Sequence, residues 1–181
     1  MISVFAHISG FDEPVNVLEL QAQHIDIEDI AAALSLVNRF GGRTRNNPNG
    51  YSDAQHAVLV SYLTSRKFAY EALHHDSTEA YIGDIIGTFK TPEQRAFEQL
   101  VRERLVPVLG LEQYEPQAVR DADARALRLE QSIVQGRGDV AIAKIPLGQL
   151  TSLREAIELM RPMHPKRARD AFLARHEELM G

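Results

Sequence analysis

Apolar residues recur at helical spacing along most of the chain. The clearest run is Ile27, Ile30, Ala31, Leu34 and Val37, with Asp26, Glu28 and Asp29 at its start, where a helix dipole favours negative charge. The pattern predicts a helix ending near Arg39-Phe40, stopped by Gly41-Gly42. A turn-rich loop runs to Tyr51. Ser52-Asp53-Ala54-Gln55 then reads as a capping box, opening a helix with His56, Leu59, Val60 and Leu63 on one face. A third helix is expected from Lys67 to His75, and a helical or turn segment over 77–86, ended by Gly87. Thr91-Pro92-Glu93-Gln94 caps another helix, whose buried stripe is Phe97, Leu100, Val101 and Leu105 and which Pro107 and Gly110 end or kink.

The next long helix starts near Pro116. Val119, Asp123, Leu127 and Glu130 share one side of it, and Gly136-Arg137-Gly138 breaks it. Ser152 caps a short helix to Met160, and Pro165 opens the last one, with Ala168, Phe172 and Leu179 inward. Residues 1–26 fit no helix; short strands and a wrapped arm both suit them. Alternation typical of strands is nearly absent, 139–145 being the best exception. The expected class is all-α, a compact multi-helix bundle, and the 181 residues suit one domain.

Composition narrows the chemistry. The chain has no cysteine, so any metal must be held by imidazole and carboxylate. A net charge of −5 argues against coating a nucleic-acid polymer. No apolar run reaches the roughly 18 residues of a membrane span. The N-terminus lacks the basic-then-apolar pattern of a signal peptide, so a cytoplasmic location is expected.

Against that background, the stretch from His74 to Asp84 stands out: two histidines and three carboxylates lie among apolar residues. Such groups are tolerated there only if paired, hydrogen-bonded or bound to a metal. Three segments offer inward-facing ligands: His56, the pair His75-Asp76, and Asp123. Two imidazoles and two carboxylates suit one borderline divalent ion, Mn, Co, Zn, Fe or Ni. Adjacent residues on a helix diverge by about 100°, so His75 and Asp76 can share an ion only if the helix ends there. Taken alone, each residue has an ordinary reading too. Asp76-Ser77-Thr78-Glu79 fits an N-cap, His56 a core histidine and Asp123 an ion-pair partner. His74 and Asp121 are read as structural or solvent-facing.

The order His56, His75-Asp76, Asp123 resembles the H…HD…D signature of the HD-domain phosphohydrolases. His75-Asp76-Ser77-Thr78-Glu79-Ala80-Tyr81-Ile82-Gly83-Asp84 is similar to the extended HD-x-x-E-A-Y-x-G-D segment of small bacterial and phage members, with Lys90 following. Ser52-Asp53-Ala54-Gln55-His56 resembles their Ser-Val-Ala-Gln-His, and Arg39-Phe40-Gly41-Gly42 also looks like the phage type. The likeness covers about residues 20–180 and is closest to HD-domain 5′-deoxynucleotidases. It implies one divalent metal on His56, His75, Asp76 and Asp123. It implies Glu79 as the group that orients water or takes its proton, and Asp84 lining the site. Arg39 would grip phosphate, with Lys90 as a second cation and Phe40 placed to stack on a base. Relatives often show Gly-His-Thr where this chain has Gly42-Arg43-Thr44; Arg43, with Arg45, hints at a substrate with several phosphates. The expected reaction is hydrolysis of a deoxynucleoside 5′-phosphate. A dNTP triphosphohydrolase, for example on dATP, is the close alternative, and a non-catalytic nucleotide- or metal-binding module the alternative of another class. The implied partners are a small deoxynucleotide and further copies of the chain in a homo-oligomer.

Overall fold

The computed structural model describes residues 4–45, 49–138 and 141–181. Among them the protein is all-α: eight α-helices, four short 3-10 turns and one two-stranded ribbon. The ribbon pairs β1 (Phe5–Ala6) with β2 (Val15–Asn16) antiparallel. Ile8, Val17, Leu20 and Ile25 anchor this arm in the core. Short strands form, and residues of this segment pack into the core. Residues 141–145 are turn and coil, not the expected strand; 139 and 140 lie outside the described residues, as do 46–48 of the loop before Tyr51.

α1 (Ile27–Leu36) is capped by Asp26, whose carboxylate accepts from the Glu28 and Asp29 amides. It stops three residues before Arg39, because Val37 and Asn38 turn extended and Asn38 bridges to Ser52. α2 (Asp53–Leu63) begins in the expected capping box. The predicted third helix is shorter: a 3-10 turn at Arg66–Phe68 leads into α3 (Ala69–Leu73). The segment expected over 77–86 reduces to α4 (Glu79–Ile82), ended by Gly83 at φ +76°, before Gly87 is reached. α5 (Pro92–Leu109) runs through Pro107 to a left-handed Gly110, and its Leu100 faces solvent rather than the core. α6 (Gln117–Ile133), α7 (Leu153–Leu159) and α8 (Pro165–Met180) complete the bundle. No helix of the described residues is long and apolar enough to cross a membrane.

α2 is the central element. Ala54, Ala57 and Val58 enter one apolar cluster, with α1 and α8; Leu59, Val60 and Leu63 enter a second, with α6 and α7. Its C-terminal end is met by the 148–149 turn. Gly148 has φ +59°, and a Cβ there would lie 2.3 Å from the Leu63 carbonyl, so the approach requires glycine. Gln149 then hydrogen-bonds the carbonyls of Ser61, Tyr62 and Thr64.

Candidate metal centre and its clefts

The four expected ligands come from three places around α2. His56 sits in its first turn, Asp123 midway along α6, and His75-Asp76 in the turn after α3. α3 ends at Leu73, so the backbone is no longer helical when it reaches the pair. That is what lets adjacent residues face one point. His56 Nε2 is 3.3 Å from His75 Nε2, 3.4 Å from Asp76 Oδ2 and 3.2 Å from Asp123 Oδ1, and His75 Nε2 is 3.1 Å from Asp76 Oδ2. Donors about 2.1 Å from a common ion lie about 3.0–3.4 Å apart at octahedral or tetrahedral angles. His56, His75 and Asp123 therefore form a donor set that could hold one divalent ion, and Asp76 Oδ2 lies 3.4 and 3.1 Å from the two imidazoles beside it.

Both imidazoles are held with Nε2 forward. His56 Nδ1–H donates to Glu130 Oε1 at 2.6 Å, and His75 Nδ1–H donates to the Ala72 carbonyl at 2.8 Å. Such outer hydrogen bonds fix ring orientation and leave the other nitrogen's lone pair for a metal. Charge agrees with geometry. Burial and the Arg39 charge oppose a charged His56, yet Glu130, Asp123 and Asp76 outweigh them and raise its pKa. Burial likewise opposes the His75 cation, and Asp76 overcomes it. Burial also opposes ionisation of Asp76, but the facing histidines hold its pKa well below the usual carboxylate value. A positive charge is favoured at this point, and a metal ion would replace the proton.

Glu130 was visible in the sequence only as a residue on the α6 stripe. Fully buried, it supports His56 and also lies 3.4 Å from Arg39 Nε. Arg39 Nη1 is 3.7 Å from Asp53 Oδ1 and 3.6 Å from Asp76 Oδ2, so three carboxylates surround one guanidinium. Asp53 was not expected in the site; its one signal is that it stands where the resembling segment has valine. Burial pushes its pKa up to about 7, against the pull of Arg39. Glu79 is buried next to it. Burial, then the charges of Asp76, Asp53 and Asp84, push Glu79 up to about 11, with Lys90 opposing. Lys90 Nζ lies 3.4 Å from Glu79 Oε1 but makes closer contacts, 2.9 and 3.1 Å, to Glu98.

Two clefts reach Asp76, Asp123 and Lys90. One, of about 610 Å³, is lined by Arg39, Phe40, Arg43, Glu79, Asp84 and Leu127, among others, so every expected substrate contact borders it. Phe40 is held at φ +58°, a left-handed conformation that an aromatic residue rarely adopts, and its ring forms part of the wall. The second cleft, of about 470 Å³, carries Arg95, Arg102 and Arg120. Arg95 donates to Gly87 O, Arg102 to Glu112 O, and Arg120 to Gln117 Oε1 and Glu115 O; Glu98 and Glu115 line the same cleft, and Arg120 Nη1 is 3.8 Å from Glu115 Oε2.

His74 is structural. It is buried, its Nδ1 hydrogen-bonded with Ser77 Oγ and its Nε2 with His176 Nδ1, facing away from His75. Burial and the neighbouring histidines hold its pKa down to about 3. Asp121 is exposed and accepts from Gln117. The N-cap reading of Asp76 fails: α4 has Thr78 at its N-cap, and the Asp76 side chain turns to the imidazoles.

No protein-family model matches the chain. It is 37% identical over 115 residues to an uncharacterised protein of Escherichia coli K12, YfdR, covering 62% of this chain and 63% of that relative's length. It is 29% identical over 181 aligned positions to an uncharacterised protein of Rhodobacter capsulatus, covering 92% of this chain and 91% of the relative.

Proposed function

We propose that the protein is a metal-dependent phosphohydrolase of deoxynucleoside 5′-phosphates, of the HD-domain type its motifs resemble. The observation that carries this reading is the convergence of His56, His75, Asp76 and Asp123 on one point, with both imidazoles oriented from behind. A divalent ion there would supply Lewis-acid polarisation of a phosphoryl oxygen and a more acidic water. Glu79, one turn beyond Asp76, would orient a water there and accept its proton. As an isolated buried acid it would stay protonated, and a divalent charge beside Asp76 favours the carboxylate form that a base requires. Arg39, at ion-pair distance from Glu130, Asp53 and Asp76, would offer its guanidinium to phosphate oxygens and offset developing charge. Phe40, Leu127, Ile85 and Ile86 give the wider cleft an apolar wall for a base, and Gln131 and Gln135 supply amides.

The second cleft favours a variant of this reading. Arg95, Arg102 and Arg120 beside the metal ligands suit a chain of phosphates, and so support triphosphate release from a dNTP. A panel of dNMPs and dNTPs, assayed with Mn2+, Co2+ and Zn2+ for phosphate and for triphosphate, separates the two. Phosphate from dNMPs supports the nucleotidase, triphosphate from dNTPs the alternative. Absence of both products with every metal refutes the hydrolytic reading.

A further inference from the structure

Beside the imidazole centre lies a second acidic group. Carboxylate oxygens of Asp53, Glu79 and Asp84 all fall within 4.8 Å of one another. Acidic clusters are common, but two of these three carboxylates are buried, and only Asp84 is partly open to solvent. Asp53 is fully buried and Glu79 nearly so. Both Asp53 oxygens and Glu79 Oε2 are shielded from solvent and accept no hydrogen bond. Buried polar atoms of this kind are normally satisfied, and leaving them so is costly. The two nearby cations do not meet the need. Arg39 Nη1 is 3.7 Å from Asp53 Oδ1, beyond hydrogen-bond reach, and is shared with Asp76. Lys90 approaches only the other Glu79 oxygen and is drawn toward Glu98.

Oxygens held about 2.1–2.5 Å from an ion are separated by at most about 4.2–5 Å, so the 4.8 Å limit on this group is compatible with a common cation. The set holds three carboxylates and no imidazole, which selects a hard ion rather than the borderline metal of the neighbouring centre. We propose that Asp53, Glu79 and Asp84 form a second divalent-cation site, of the oxygen-only kind that takes Mg2+ or Mn2+. Glu79 and Asp84 border the wider cleft, so the remaining positions of the ion open toward it. Asp53 closes the site from the buried side. Glu79 is also the base assigned in the proposed reaction, so the site is tested by metal binding and not by activity.

The test is a metal titration. Chelator-stripped protein is given one equivalent of Zn2+, then titrated with Mn2+ while the free-Mn2+ EPR signal is followed. One further Mn2+ per chain is expected, displaced by millimolar Mg2+. Asp53→Asn and Glu79→Gln, each checked for helical circular dichroism, are expected to weaken that Mn2+ at least tenfold while keeping the Zn2+ equivalent. His75→Ala is expected to lose Zn2+ and keep the Mg2+-sensitive Mn2+. No Mn2+ binding to the wild type, or undiminished binding in both carboxamide variants, overturns the proposal. Loss of Zn2+ binding alone would count against the imidazole centre and leave this site standing.

Discussion

Glu130→Gln is the sharpest probe of the candidate centre, because Glu130 supports a ligand without touching the metal. The substitution keeps shape and one acceptor oxygen but removes the charge from a 2.6 Å hydrogen bond to His56 Nδ1. Outer partners of this kind are worth about 10–100-fold in metal affinity, or about 1.4–2.7 kcal/mol. Competition against a chromogenic zinc chelator at pH 7.5 measures it directly. The metal-free fold should weaken too. A buried charge-assisted hydrogen bond is worth about 1.5–3 kcal/mol, which in a chain of this size lowers Tm by about 3–12 °C. The sign of the pH effect follows from both partners. The folded pKa of His56 is raised, so its stabilising contribution is complete below 6.5 and is lost as pH rises through the folded value. The folded pKa of Glu130 is lowered, so its contribution is complete above 4.5 and is lost as pH falls through the folded value. The Tm gap between wild type and variant should therefore peak between pH 4.5 and 6.5. A variant with wild-type zinc affinity and an unchanged Tm in that window would refute the assignment.

The proposed centre predicts that the wild type purifies with a divalent metal and Asp76→Ala without it, read by elemental analysis; equal content in both would contradict its role as a ligand. Asp53→Asn should stabilise the metal-free protein at pH 8. With a folded pKa of about 7 against 3.8, the Asp53 contribution is full below 3.8 and lost as pH rises through 7, by up to about 4 kcal/mol, less what Arg39 loses. The Tm gain of the variant should be larger at pH 8 than at pH 4, and a Tm loss at pH 8 would contradict it. Gly148→Ala should cost about 2 kcal/mol or more, seen as a drop in Tm, since its Cβ would strike the Leu63 carbonyl.

The proposed ligands could be singled out because the sequence writes them in strong local signals: the Ser52 capping box places His56, and His75-Asp76 sits where helical spacing gives out. Their supports were less legible. Glu130 contacts His56 across 74 positions, and Arg39 joins carboxylates from three segments, pairings that periodicity cannot reveal. Asp53 reads as a routine first-turn acid until the fold buries it. Helix ends slipped where tertiary contacts decided them. The Asn38–Ser52 bridge cut α1 short, and Gly83, not Gly87, ended the segment after Asp76. Of the stretch 139–145, the described residues 141–145 are turn and coil rather than strand.

The setting of α2 has a consequence for how the centre can move. Ten of its eleven residues are buried. Its first turn is tied by Gln55 Nε2 to the Leu159 and Arg161 carbonyls. Its last carbonyls are taken by Gln149, Arg175 and Arg125. The helix can neither slide nor rotate without breaking contacts at both ends, so His56 is a fixed reference point and its amide should be among the slowest to exchange with deuterium. Accommodation of a ligand then falls to the other walls, above all the 83–91 connection. Reshaping selectivity by mutation should succeed along that connection and fail along α2.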